Sequence, residues 1–196
     1  MERFVLLDRD GVINRRIVGG YVTAWEEFQF LPGALEGLAL LARRGVSALI
    51  ISNQACVGKG LLAPEMLQQI TRLFVKQIED RGGRIGGVYY CPHRPEEGCG
   101  CRKPKPGLLF HAQMAHGFRF SETYLIGDSP SDMATARAVG CPGLLIAEDG
   151  VAREPMPMAP PEWVFPDLAE AARFIIAHPL PSEPSEESAG QKVPLA

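Results

Sequence analysis

The chain has no run of 18 apolar residues, and no charged-then-apolar leader opens it. The sequence therefore predicts a soluble, unexported, cytoplasmic protein with no membrane partner. Charge of one sign is not in excess either: 20 Lys and Arg stand against 23 Asp and Glu, a net −3. Nothing global calls for nucleic acid or an anionic membrane surface. There is no internal repeat and no second core-sized segment, which predicts one domain over residues 1–178 and a monomer. From Pro179 the composition turns to Pro, Ser and Glu, and 179–196 reads as a disordered tail. At 196 residues and 46% apolar content, one substantial core is within reach.

Cysteine is scarce but unevenly placed. Of five, three fall between Cys91 and Cys101. In an intracellular chain that spacing favours metal over disulfide. Cys91-Pro92-His93 and Cys99-Gly100-Cys101 form C-x-H-x₅-C-x-C, three thiolates and an imidazole. That is a full tetrahedral Zn²⁺ set with no position left for water, hence a structural site. Free buried thiols or a labile disulfide are the alternatives. Cys56 and Cys141 read as ordinary buried thiols. His111 and His116 read as surface side chains on a helix, without partners.

Strands and helices alternate along the chain. Phe4–Leu7, Val46–Ile51, Ile85–Tyr90, Tyr124–Ile126, Gly143–Ala147 and a short Trp163–Phe165 read as strands. Helices are predicted after Leu31-Pro32-Gly33, from Pro64, from Pro106-Gly107, over Ser131–Val139 and from Asp167. Their inward faces are Leu35, Leu38, Leu41 and Ala42; Leu67, Ile70, Phe74 and Ile78; Leu108, Leu109, Ala112 and Ala115; and Leu168, Ala171, Ala172, Ile175 and Ile176. Glu170, three residues after Asp167, suggests a capping box. Such alternation predicts an α/β fold: a Rossmann-like, mostly parallel sheet with helices on both faces.

Polar residues cluster where strands end. Asp8 and Asp10 follow the first strand, Ser52 and Asn53 the second, and Asp128 the fourth, while Arg102 and Lys103 lie in the loop after the third. Parallel strands share direction, so these groups gather at one sheet edge, where ligands of open α/β sheets bind. Taken alone, Asp8 and Asp10 could be a solvated acidic turn. Together with Asp128 they supply hard oxygen ligands of the kind Mg²⁺ takes. A carboxylate there can attack phosphorus and a second can carry the proton. Ser52 and Lys103 can hold phosphoryl oxygens.

Asp8-Arg9-Asp10-Gly11, Ser52-Asn53-Gln54, Arg102-Lys103-Pro104 and Gly127-Asp128-Ser129-Pro130-Ser131-Asp132 resemble, in order, the four motifs of the haloacid dehalogenase-like (HAD) phosphatases, over about Phe4 to Gly150. The resemblance implies a HAD-like fold and an enzyme, a phosphoric monoester hydrolase. Asp8 would be the nucleophile and Asp10 the general acid/base. Mg²⁺ would be held by Asp8, the Asp10 main-chain carbonyl and Asp128, with Asp132 supporting from behind. Ser52 and Lys103 would steady the phosphoryl group.

The cysteine loop narrows this. Cys-Pro-His followed by Cys-x-Cys-Arg-Lys-Pro is similar to the zinc loop of two families, the D-glycero-D-manno-heptose 1,7-bisphosphate 7-phosphatases and the histidinol-phosphatase domains. Both lack a large cap domain. Gly20-Tyr21-Val22, Tyr89-Tyr90-Cys91 and Pro106-Gly107 lean toward the heptose family. A phosphorylated sugar is then the implied substrate, bound by Arg16, Tyr21, Ser52, Asn53, Gln54, Ala55, Arg102 and Lys103; histidinol phosphate is the alternative, and a non-catalytic zinc-stabilised binding module a more distant one. The chain departs from the pattern in a long Asn14–Tyr21 stretch, in Ala55-Cys56-Val57 and at Ser129. Its loops add Arg15, Lys59, Arg94 and Lys105, a basic excess that suits a second phosphate or forms a solvated rim.

Overall fold

A computed structural model describes residues 2–147 and 163–180. The strands are β1 (Arg3–Leu7), β2 (Val46–Asn53), β3 (Ile85–Cys91), β4 (Tyr124–Gly127), β5 (Gly143–Ile146) and β6 (Val164–Phe165). The helices are α1 (Ala34–Arg43), α2 (Ala55–Gly58), α3 (Pro64–Asp80), α4 (Gly107–His116), α5 (Pro130–Ala138) and α6 (Leu168–Ala177). The strands form one sheet in the order β3-β2-β1-β4-β5-β6. Every pairing is parallel. The order reverses between β1 and β4, and a doubly wound sheet opens its crevice at that point.

The pleat explains the layers. Val5 and Leu7 point to one face and join Ile50, Ile126 and Leu144 with the apolar sides of α1, α3 and α6. Phe4 and Leu6 point to the other face and join Leu49, Ile51 and Leu125 with α4 and α5. A sheet buried on both faces needs near-continuous apolar strands, as Arg3–Leu7 and Val46–Ile51 supply. Leu67, Ile70, Phe74 and Ile78 are all buried along α3. Truncating a side chain as enclosed as Phe74 to Ala costs about 3–5 kcal/mol. Among the described residues no helix is long and apolar enough to cross a membrane.

Several boundaries and faces differ from the sequence reading. Strand β2 runs on to Asn53, so Ser52 and Asn53 sit within it. Helix α2, a single turn, stands where a loop was expected; four residues are too few to show helical periodicity. On α1 the buried residues are Ala34, Gly37, Leu38, Ala39 and Leu41, while Leu35 and Ala42 are only half-buried. The face is turned because α1 packs on α6 through Gly37, where a Cβ would lie 2.6 Å from the Leu168 carbonyl. Ala115, placed inward by the α4 pattern, is exposed. His116 has partners after all: its ring packs on Phe4 at 4.9 Å, whereas His111 is exposed. Asp167 caps α6 by accepting from the Glu170 N–H at 2.9 Å. Glu170 turns to Arg173 at 2.6 Å and makes no return bond. The predicted tail lies outside the described residues from 181 onward.

Candidate active site

Strand β1 delivers Asp8 to the switch point, and the Asp8 N–H still bonds the Ile126 carbonyl of β4 at 2.9 Å. The chain must then turn sharply, and Gly11 does so with φ +91°. A Cβ at Gly11 would lie 2.0 Å from Asp128 Oδ2, so the turn and the β4 acid exclude any larger residue. A cleft of about 630 Å³ opens here. Asp8, Asp10, Asp128, Ser52, Asn53, Arg16, Tyr21, Lys59, Arg102 and Lys103 line it. The four strand-end groups therefore converge as their spacing predicted.

Lys103 is the centre of the acidic cluster. It is 4% exposed, and its ammonium lies 2.9 Å from Asp8 Oδ1 and 2.6 Å from Asp132 Oδ1. A third contact, at 2.9 Å, goes to the Ile51 carbonyl. Burial weakens its hold on the proton, but the two carboxylates overcome this and keep it above the usual lysine range. Asp132, fully buried, also accepts from the Ser129 hydroxyl at 2.5 Å and the Ser129 N–H at 3.2 Å. Both Asp132 oxygens are thus committed to Lys103 and the start of α5.

The other acids are less satisfied. Burial pushes Asp8 up to about 7 against the pull of Lys103, with Asp132, Asp128 and Asp10 adding to the rise. Burial and Asp132 push Asp128 up to about 6 despite Arg16 and Lys103. Ligand atoms of Asp8, Asp128 and Asp132 lie within 4.8 Å of one another. Buried carboxylates short of positive charge, presenting hard oxygens at this separation, fit a divalent cation such as Mg²⁺.

Asp10 is held differently. Arg9, 1% exposed, grips it through Nε to Oδ2 at 3.2 Å and Nη2 to Oδ1 at 2.9 Å. Asn14 donates to Oδ1 at 2.9 Å and Gln54 to Oδ2 at 2.8 Å. Burial would raise Asp10, but Arg9, Asn14 and Gln54 outweigh it and hold the carboxyl below its usual range. Sequence reasoning passed over Arg9 and Asn14; an arginine between two acids, with an amide four residues on, was the available signal. Gln54 and Ala55, expected to touch substrate, do not line the cleft: Gln54 stands behind Asp10 and Ser52, and Ala55 is buried in α2.

The basic loops divide. Arg16 reaches Asp128 Oδ2 at 3.4 Å across the cleft mouth, and Lys59 donates to the Tyr21 hydroxyl at 3.0 Å. Arg102 lines the wall, with a buried Nη1 that finds no partner. Arg94 pairs with Glu97 at 3.3 Å and Lys105 with the Gly98 carbonyl at 2.6 Å, both outside the cleft lining, as is exposed Arg15.

The cysteine loop folds as a compact ligand set. Cys91, Cys99 and Cys101 place their sulfurs 3.3–3.6 Å apart, and His93 Nδ1 lies 3.2 Å from Cys101 Sγ and 3.7 Å from Cys91 Sγ. A tetrahedral ion with Zn–S of about 2.3 Å requires sulfurs roughly 3.8 Å apart, so this set fits zinc. Cys56 and Cys141 are buried free thiols away from it. The loop is joined to the second motif: Cys91 C=O accepts from the Gln54 N–H at 2.8 Å, and Pro92 C=O from the Gly58 N–H at 3.0 Å.

Residues 100–171 match the family model described as HAD-hydrolase-like. The chain is 34% identical over 173 residues to the D-glycero-beta-D-manno-heptose-1,7-bisphosphate 7-phosphatase of Pseudomonas aeruginosa, covering 88% of this chain and 97% of that one. It is 41% identical over 138 residues to the corresponding alpha-anomer phosphatase of Mycobacterium bovis, covering 69% and 72%. Among solved structures, the D,D-heptose 1,7-bisphosphate phosphatase of B. bronchiseptica, complexed with magnesium and phosphate, superposes with a TM-score of 0.81 at 27% identity, covering 89% of this chain and 98% of that one.

Proposed function

The chain belongs to the HAD-like hydrolases, and from that premise we propose that it is a phosphatase removing the 7-phosphate of D-glycero-D-manno-heptose 1,7-bisphosphate. The observation that carries the reading is the convergence of Asp8, Asp10, Ser52, Lys103 and Asp128 on one cleft. Its relatives' names and the basic cleft mouth support the bisphosphate; nothing favours histidinol phosphate, and the complete site argues against a non-catalytic module.

Asp8 attacks phosphorus, the bond from phosphorus to the sugar oxygen breaks, and an aspartyl-phosphate forms. Asp10 gives its proton to the departing oxygen, then takes one from the water that hydrolyses the intermediate. The donors around Asp10 favour its carboxylate, the form the second step needs. A phosphate dianion arriving beside it favours the protonated form required first. Ser52 holds a phosphoryl oxygen, and Lys103, whose three hydrogens face Asp8, Asp132 and the Ile51 carbonyl, adds positive charge beside it. Asp8 and Asp128 would hold Mg²⁺, which would supply positive charge to offset that of nucleophile and phosphate. Cys91, His93, Cys99 and Cys101 would hold Zn²⁺, and a bound ion there would fix the loop that carries Arg102 and Lys103.

Phosphate release from both anomers of heptose 1,7-bisphosphate, histidinol phosphate and fructose 1,6-bisphosphate tests the assignment. One heptose anomer should lead by at least tenfold in kcat/KM, and Asp8→Asn should abolish turnover. Equal weak activity on all four would overturn the substrate, and full turnover by Asp8→Asn the mechanism.

A further inference from the structure

Gln54 lies outside the cleft lining, yet its amide is fully engaged. Nε2 lies 2.8 Å from Asp10 Oδ2 and 3.0 Å from Ser52 Oγ. Oε1 accepts from the Cys56 thiol at 3.6 Å. The side chain is buried, 1% exposed, and its backbone is pinned to Cys91. A carboxylate only accepts, so the nitrogen must face Asp10, and the second amide hydrogen is the one that reaches Ser52. A serine hydroxyl has a single hydrogen. Its oxygen is already receiving from Gln54, so that hydrogen is free to be donated, and Ser52 lines the cleft.

Granted the phosphatase reading, on which this rests, we propose that Gln54 is a positioning residue that sets hydrogen-bond polarity in the site. Its amide makes Ser52 a donor toward the transferring phosphoryl group and clamps the Asp10 carboxylate from behind the wall. Size and polarity can be separated by substitution. Gln54→Met keeps the volume and removes both donors. Gln54→Glu keeps the shape but reverses the polarity: its carboxylate captures the Ser52 hydrogen and repels Asp10.

The test is a double-mutant cycle read by binding of inorganic phosphate to the Mg²⁺-loaded protein, with kcat and KM for the bisphosphate alongside. Gln54→Met should weaken phosphate binding about tenfold and lower kcat, the scale of one lost hydrogen bond to a charged group. Gln54→Glu should lose about tenfold more. In a Ser52→Ala background, Gln54→Met should weaken phosphate binding clearly less, because the hydroxyl it orients is gone and only the Asp10 contact is left to lose. If Gln54→Glu does not fold, the Met variant and its cycle decide alone. Equal losses in both backgrounds, or phosphate binding unchanged by Gln54→Met, would overturn the role of Gln54. A wild-type protein inactive on every phosphate ester would instead overturn the reading of the site.

Discussion

Asn53 and Lys103 clasp each other across fifty residues of chain: the Asn53 amide donates to the Lys103 carbonyl at 3.2 Å and accepts from the Lys103 N–H at 3.1 Å. The clasp ties the end of β2 to the loop that carries the lysine, and Lys103 in turn reaches back to the Ile51 carbonyl. Asn53→Ala leaves both backbone groups unpaired in a half-buried setting. It should cost about 1–2 kcal/mol of stability and lower kcat/KM on the order of tenfold as the ammonium loses its fixed distance to Asp8. Thermal unfolding and steady-state kinetics check this, and unchanged turnover would show that the ion pairs alone position Lys103.

The buried acids make metal-free stability depend on pH in an unusual direction. Asp8 is held at about 7 and Asp128 at about 6, both above 3.8. Between about pH 4 and 7 the native state therefore keeps protons that the unfolded chain has released, so stability falls as pH rises through that window. Asp10 works oppositely, since its carboxyl is lowered: its contribution is present above about pH 4 and is lost in stronger acid. Lys103 stays charged throughout. The melting temperature of chelator-treated protein should fall from pH 5 to pH 7.5, and added Mg²⁺ should raise it more at the higher pH. A metal-free melting temperature that climbs over this range would contradict the assignment.

Removal of zinc should reach the active site through the backbone. Arg102 and Lys103 follow Cys101 directly, and Gln54 hangs from the Cys91 carbonyl. Protein purified without chelator should contain one zinc per chain by elemental analysis. Stripping it, or replacing Cys101 with Ser, should lower the melting temperature by several degrees and turnover at least tenfold. Protein that contains no zinc yet turns over fully would show the four ligands to be a thiol cluster only.

The parts of this molecule legible in the sequence are those with a period or a fixed chemical need. Alternating strands and helices and the α3 stripe repeat, and the C-x-H-x₅-C-x-C spacing carries a full ligand set; the sheet, the buried stripe and the cluster of those four side chains appear as read. What escaped depends on contacts between distant segments. Nothing local says that Gln54 turns inward, because Asp10, the carboxylate it donates to, lies in the turn after β1, far away along the chain. Arg9 looks like a solvated charge until Phe28 and Tyr90 are seen to enclose its guanidinium at 5.9 and 6.0 Å. Ala115 fits the helical stripe, yet it is exposed, while His116 beside it packs on Phe4.

Arg16 sits where a cation would compete with it. Its guanidinium lies 3.4 Å from Asp128 Oδ2 and lowers the proton affinity that burial and Asp132 raise. Arg16 is itself well exposed, so the pair is weak, in the range of roughly 0.2–1 kcal/mol. Arg16→Gln removes a positive charge that a divalent ion must otherwise displace or tolerate. At pH 8, where Asp8 and Asp128 are both ionised, the variant should bind Mg²⁺ about two- to fivefold more tightly by calorimetry. At pH 6 the gain should shrink, because Asp128 without its arginine holds a proton more firmly and the ion must expel it. Tighter binding at pH 8 together with a higher KM for the bisphosphate would place Arg16 on the substrate once the ion has taken Asp128. Unchanged or weaker Mg²⁺ binding at pH 8 would show that the arginine leaves the metal site undisturbed.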